Sequence, residues 1–397
     1  ADLFGAVVRI VVHDDQLVID CLRHQSVCDH AREMRQVLDL LVGGDDDRNH
    51  GAALAQIFGP GLCWRGLGRW ARDVAEVRAV IPSIAHFVWY GKRLPYLHAL
   101  AIRSAATHGG FDSVRLHHTD PLDPLPHVTA LDELQNFELV SLDDQELCDR
   151  AAGSSLADLV AALESPVARS NLVRTALVYL DGGVYLDMDT LTIRSFDEVR
   201  STAPGFLGEE HIVFPEEVVS SWDPRVKAKA YLSTTVRDLY RRWPHGYRYF
   251  PRIEHHYHRA VNGAILGAVP GHAFCREYLA AMTRVPRARW NKPHALGTHL
   301  LHATYRNYEG DDLHAFPPPY FYPLPPEISA HWFRLYRDGV DPAEVLDPVT
   351  CCVHWYASVR TKKIVKTMDE AELRRLAPQQ LFAGLAVRVL DGEIIDR

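Results

Sequence analysis

The sequence predicts an α/β fold, a mixed and mainly parallel sheet flanked by helices, with a mainly helical appendage at its N-terminus. Three observations carry this. From residue 84 onward, short β-branched or aromatic runs alternate with amphipathic helical stretches, the pattern of parallel strands joined by crossover helices. Near residue 182 a Gly-Gly pair separates a helix from a short buried strand that ends in two aspartates. The first 75 residues follow neither pattern, so the chain divides into an appendage, 1–75, and a main domain, 76–397.

In the appendage, Val7 to Val12 reads as a strand, and helices are expected over 31–42, 52–58 and 67–80; Asp45-Asp46-Asp47 is a solvated loop. The main domain opens with a buried strand over Ile84 to Tyr90, then a helix from Leu94 to His108 and a strand from Val114 to His118. A strand at Phe137 to Leu142 and a helix at Leu156 to Leu163 follow. Ser165-Pro166 starts the next helix, since serine can cap and proline suits the first helical position. Leu172, Val173, Ala176, Leu177 and Leu180 form its apolar stripe, and Gly182-Gly183 ends it. Phe206 to Phe214 continues the sheet, 215–260 is an aromatic, basic stretch that reads as an insertion, and Asn262 opens another apolar strand. Ala273 to Thr283 and a stretch from Gly297-Thr298 read as helices. Pro317 to Pro326 reads as a rigid connector, and 368–397 as a helix and a final strand.

Composition narrows the function. A formal net charge of −8 gives no basic excess for nucleic acid, and no apolar run approaches the ~20 residues of a membrane span. Phe4 to Val12 is too short and too interrupted for a signal peptide, so a cytoplasmic protein is expected. Seven cysteines without Cys-x-x-Cys spacing read as buried, reduced thiols rather than a zinc site. The His255-His256-Tyr257-His258 run reads as surface or cleft lining rather than a metal centre.

The chemistry sits in Asp187-Met188-Asp189. Two aspartates at i and i+2 of an extended chain point to one side, roughly 6.6 Å apart. That spacing suits a divalent cation held directly by one carboxylate and through water by the other, with Asp189 the direct ligand and Asp187 on a metal water or the ligand itself; hard oxygen ligands favour Mn²⁺ or Mg²⁺. Against this stands a plain polar turn with two solvated carboxylates. Arg174 and Asn171 lie at i and i+3 on one helix face, where they can hold a ligand together.

The run Ser170-Asn171-Leu-Val-Arg174, helix, Gly182-Gly183-Val-Tyr185-Leu-Asp187-Met-Asp189 resembles the Asp-x-Asp sugar-binding region of GT-A glycosyltransferases. The similarity is to the group of yeast mannosyltransferases, α-1,4-galactosyltransferases and clostridial glucosylating toxins. Asn171 departs from it, standing where that group has Asp. Ile81-Pro-Ser-Ile84-Ala-His86-Phe-Val-Trp89 resembles the group's first strand. The resemblance implies a Rossmann-like GT-A sheet and a metal-dependent, retaining enzyme that takes a sugar from a nucleoside diphosphate, with a UDP-sugar the first expectation and the acceptor unidentified. It implies donor-binding roles for Val88, Trp89 and Tyr90, where Trp89 can stack on the base or be a core tryptophan. Asn262 is implied beside the donor sugar or as a structural strand residue. His354 is implied as a third metal ligand or phosphate contact, and Trp355 and Ser358 as lid contacts, against a plain buried strand. His86 reads as a structural histidine. Two rival readings are a non-catalytic sugar-nucleotide-binding or carbohydrate-binding protein and a Mg²⁺-dependent phosphatase of the haloacid dehalogenase type. The phosphatase motif needs threonine two positions after the second aspartate, whereas Thr190 follows it directly. A glycoside hydrolase would need a different carboxylate pair.

Overall fold

The computed structural model describes residues 8–13, 16–21, 80–215, 218, 220–292, 295–357 and 362–393. The chain divides into two compact units, Ala1–Val77 and Arg78–Arg397. In the first, β1 (Val8–His13) pairs antiparallel with β2 (Gln16–Cys21), a strand the sequence reading did not separate. The helices expected over 31–42, 52–58 and 67–80 lie outside the described residues, apart from Val80.

The second unit is built on a seven-stranded sheet. Its strands are β3 (Ile84–Trp89), β4 (Ser113–His118), β5 (Phe137–Ser141), β6 (Gly183–Leu186), β8 (Gly205–Ile212), β9 (His258–Ala268) and β10 (Leu313–Phe316), in the spatial order β10-β8-β9-β6-β3-β4-β5. β6, β3, β4 and β5 run parallel, as do β8 and β10; β9 alone is antiparallel to both neighbours. A separate pair joins β7 (Thr190–Thr192) to β11 (Cys352–His354).

Alternation along the strands makes three layers. Phe87, Leu186, Phe206 and Ile265 face one side and pack with Ala101 and Ile102 of the Tyr96–His108 helix. Their neighbours Val88, Tyr185, Leu207 and Leu266 face the other, against Leu172, Val173 and Leu177 of the Pro166–Asp181 helix and Phe274 and Leu279 of the Ala273–Thr283 helix. A third core around Trp332, Phe333, Trp355, Phe382 and Leu385 gathers the C-terminal segments.

Several expectations are corrected here. Ser165 takes the N-cap position with extended backbone, but its side chain makes no capping hydrogen bond. β8 stops at Ile212, two residues short of Phe214, and β9 begins at His258, four residues before Asn262. Residues 224–242 of the expected insertion form a 19-residue helix, Pro224–Arg242. The Pro-rich connector carries core residues, since Phe321 and Tyr322 are buried against Phe196 and Phe206. No C-terminal strand follows residue 368 among the described residues; two helices, Glu370–Leu376 and Leu381–Leu390, stand there. Phe382, Leu385, Ala386 and Val389 recur at helical spacing and are buried, which decides helix over strand. Cys148, Cys275, Cys351 and Cys352 are buried free thiols, as read.

Candidate active site

The site begins where helix becomes strand. Gly182 and Gly183 adopt φ of +67° and +94°. A Cβ at Gly183 would stand 2.6 Å from the Ile84 carbonyl oxygen, and one at Gly182 2.6 Å from Pro270 Cδ. Only glycine satisfies both the backbone sign and the close approach. His86 locks the junction from β3: its Nε2 lies 2.9 Å from the Gly182 carbonyl and its Nδ1 3.0 Å from His117 Nε2. Burial depresses both imidazoles, to about 4 for His86 and about 3 for His117, so both are neutral in the fold. His86 is thus the structural histidine expected.

β6 then delivers Asp187 at its carboxyl end. The pair Asp187 and Asp189 is not on extended chain, as the sequence reading had it. Residues 187–190 form a turn, with the Thr190 N–H donating to the Asp187 carbonyl at 3.1 Å and the Thr190 hydroxyl donating to it at 2.8 Å. The turn brings the two carboxylates together and leads straight into β7.

Each aspartate has its own setting. Asp187 Oδ1 accepts the Tyr185 hydroxyl at 2.8 Å and lies 3.4 Å from Arg174 Nη1. Arg174 also donates to the Ser170 and Gly263 carbonyls, and its guanidinium lies 4.9 Å from the Tyr185 ring centre. Asp189 Oδ1 is 3.0 Å from His354 Nε2, its Oδ2 accepts the Ala357 N–H at 2.6 Å, and its carbonyl accepts the Trp355 N–H at 2.9 Å. Burial pushes the Asp187 carboxyl up against the pull of Arg174. Burial opposes ionisation of Asp189 too, but His354 and the Ala357 amide outweigh it and hold that carboxyl at about 2. In return, burial would lower His354, and the charge of Asp189 raises it instead.

The ligand atoms of Asp187, Asp189 and His354 lie within 4.8 Å of one another, and no other such group occurs among the described residues. This donor set, two carboxylates and an imidazole at the end of a central strand, fits a divalent cation. His354 Nδ1 is buried with no hydrogen-bond partner in the structure, so nothing on the far side of the ring restrains it beyond packing against Tyr322 and Tyr356.

The remaining predicted residues divide. Asn171 is half-buried on the Arg174 helix, its amide beside Gly297 at the start of the Thr298–Asn307 helix. Trp89 is half-buried and packs on His98, rings 5.1 Å apart, and His98 Nδ1 reaches the Met188 carbonyl at 2.7 Å. Tyr90 is half-buried, with burial raising its phenol. Val88 is a core side chain, buried among Leu172, Val173 and Leu207, so any contact it makes with a donor is through its backbone. Asn262 is already committed: its Oδ1 accepts the Ala264 N–H at 2.8 Å, and its side chain hydrogen-bonds Glu210. Trp355 is no lid contact in this structure; it is wholly buried between His98, Phe333 and Phe382. Ser358 lies outside the described residues.

Four contributors escaped the sequence reading as site residues. Tyr185 is one; its i, i+2 spacing to Asp187 was the available signal. His98, Glu210 and Tyr356 had none. Tyr356 holds a left-handed φ of +57°, rare for a residue with a side chain, and its hydroxyl donates to the buried carboxylate of Glu210 at 2.8 Å. That bend presents the next amide, Ala357, to Asp189.

Ligands of open α/β sheets bind beyond the carboxyl ends of the strands, and there this aspartate pair and its arginine stand. Residues 112–205 match the family model described as a glycosyltransferase sugar-binding region containing a DXD motif. The chain carries that region. No curated protein matches the chain. Solved structures similar to it include the PaToxG glycosyltransferase, at 12% identity and a TM-score of 0.37, covering 62% of this chain and 78% of that one. Mouse xyloside xylosyltransferase 1, apo form, is similar at 10% identity and a TM-score of 0.38, covering 69% and 98%. The galactosyltransferase LgtC, in complex with donor and acceptor sugar analogues, is similar at 10% and 0.32, covering 74% and 99%. At such scores these likenesses carry no argument about what this chain binds.

Proposed function

We propose that the protein is a metal-dependent, retaining glycosyltransferase that moves a sugar from a nucleoside diphosphate, a UDP-sugar first, to an acceptor. The observation that carries this is the convergence of Asp187, Asp189 and His354 within 4.8 Å, with Arg174 paired to Asp187. A cation bound there, Mn²⁺ or Mg²⁺, offsets the charge that develops on the departing diphosphate, an effect worth several kcal/mol of barrier. Tyr185 and Arg174 orient Asp187, while the Ala357 amide orients Asp189. Asn171 and Arg174 line one helix face where sugar hydroxyls can be held, and Trp89 offers a ring to the base. No general base is assigned, in keeping with front-face attack in which the leaving phosphate takes the acceptor's proton.

β8 and β9 extend past the last β6 pair, Leu186 with Ile265, and carry a cavity of about 280 Å³. It is lined by Ile212, Ala260, Thr298, His299, His302 and Arg306, and it is our candidate for the acceptor side. Thermal unfolding with a panel of UDP- and GDP-sugars, in Mn²⁺ and in EDTA, tests the reading. A donor that stabilises the chain only with metal supports it and names the base. Tight donor binding without release of nucleoside diphosphate would favour a non-catalytic binding protein instead. Trp89→Ala is expected to weaken nucleotide affinity by about 1–3 kcal/mol; unchanged affinity would return Trp89 to the core.

A further inference from the structure

The Pro224–Arg242 helix is the least buried long element of the second unit: of its 19 residues only Ala230 is fully buried. Tyr231, Leu232 and Leu239 are 69%, 64% and 65% exposed, and Trp222, just before the helix, is 98% exposed. At 100° per residue, Tyr231, Leu232, Leu239 and Trp243 fall on one face of the helix. Beyond its end, Trp243 stacks on Tyr249 at 4.9 Å, and the Arg252 guanidinium lies over Tyr249 at 5.2 Å. Among the described residues, seven of the twelve exposed large apolar side chains lie between 214 and 249. So dense a patch marks an interaction surface rather than scattered exposure.

Charge says what kind of surface it meets. Residues 222–252 hold eight Lys and Arg against two Asp, in a chain whose formal net charge is −8. Some of these are used internally: Arg237 pairs with Glu327, Arg241 with Asp238 and Arg248 with Glu344. Arg225, Lys229, Arg242 and Arg252 are exposed; Arg225 and Arg242 project within the same arc as the apolar residues, and Lys229 lies beside it. Of the two acids, Asp223 caps the helix, and Asp238, one heptad past Tyr231 at the edge of that face, is paired with Arg237 and Arg241. Indole and phenol rings beside Lys and Arg match the chemistry of a bilayer's interfacial zone. The helix is too charged to cross a membrane, and among the described residues no helix is long and apolar enough to do so.

We propose that this face, from Trp222 along the Pro224–Arg242 helix to the Trp243–Tyr249 corner, seats the protein on an anionic membrane surface. The helix lies in the interfacial plane, its Leu and aromatic side chains entering the headgroup boundary and the Lys and Arg beside and between them reaching lipid phosphates and carboxylates. The proposal is independent of the donor site and stands or falls without it.

The test is co-sedimentation of the 397-residue chain with phosphatidylcholine vesicles, alone and with phosphatidylserine added. Binding to the anionic vesicles only, weakening with salt, is expected. Arg225→Gln, Lys229→Gln and Arg242→Gln should each weaken partitioning about fivefold, and Leu232→Glu with Leu239→Glu should abolish it. Trp emission should shift to the blue on anionic vesicles, and Trp222→Phe with Trp243→Phe should remove most of that shift. These side chains are exposed, so circular dichroism melts should match wild type. No binding to either vesicle, or binding indifferent to these substitutions, would overturn the proposal. So would a concentration-dependent dimer that Leu232→Glu dissolves, since the face would then belong to a second copy of the chain.

Discussion

The two arms of the acidic site reach it by different routes. The Asp187–Asp189 arm is local: a capped-off helix, two glycines of positive φ, a four-residue strand and a turn, all within residues 166–192. The His354–Ala357 arm arrives from 165 residues further along, on β11, and is bent into place by Tyr356 and the buried Glu210. The first is held by backbone conformation, the second by tertiary hydrogen bonds. The difference teaches that one site can rest on two kinds of constraint, which fail in different ways.

Asp189 belongs to both arms, so its loss is the largest expected effect. Asp189→Ala should cut sugar transfer at least about a hundredfold and abolish the Mn²⁺-dependent rise in melting temperature; turnover near wild type would remove it from the site. Breaking the local arm alone should cost stability first. Gly183→Ala forces a Cβ against the Ile84 carbonyl at a φ of +94°, and denaturant titration should show a loss of about 1–3 kcal/mol or more. An unchanged midpoint would mean the backbone there relaxes freely. Breaking the distant arm alone should act on the metal instead. Tyr356→Phe leaves Glu210 short of a donor, at about 1–3 kcal/mol, and should lower Mn²⁺ affinity about 10–100-fold. Calorimetric titration giving wild-type affinity would show that Ala357 needs no such support.

The smallest effect concerns the histidines behind the local arm. His86 and His117 are neutral in the fold and take up protons on unfolding, because burial places their pKa at about 4 and about 3, below the ordinary 6.5. Their contribution is therefore complete above pH ~6.5 and is lost as pH falls toward ~4. Unfolding midpoints taken across that range should drop, and His117→Asn should flatten the drop. A slope identical in the variant would assign the acid sensitivity elsewhere.

This contrast also marks what could be read from the chain. The parallel strands, the Gly-Gly stop and the Asp187–Asp189 pair were legible because their causes lie within a few residues: β-branched runs, glycine freedom and helical periodicity. His354 was placed only through a short resemblance, and for Trp355 a lid contact and a buried strand residue stood side by side. Nothing local distinguishes an indole that faces a ligand from one enclosed by Phe333 and Phe382, residues 22 and 27 positions away. Asn262 shows the same limit. Its amide is suited to a sugar hydroxyl, yet Glu210, 52 residues earlier, already engages it. Tyr356 left no trace at all, since a positive φ in a bulky residue is imposed by its surroundings rather than by its own preference.

The pairing of β7 with β11 sets an order of assembly. As the ribosome delivers the chain, the carboxylate turn emerges long before Cys352–His354, and until that strand arrives Thr190–Thr192 lacks its partner and Asp189 lacks both histidine and amide. A chain cut short between residues 189 and 352 keeps its DXD sequence but cannot assemble the three-ligand centre. β11 thus works as a seal of completion, withholding the three-ligand centre from unfinished products of translation.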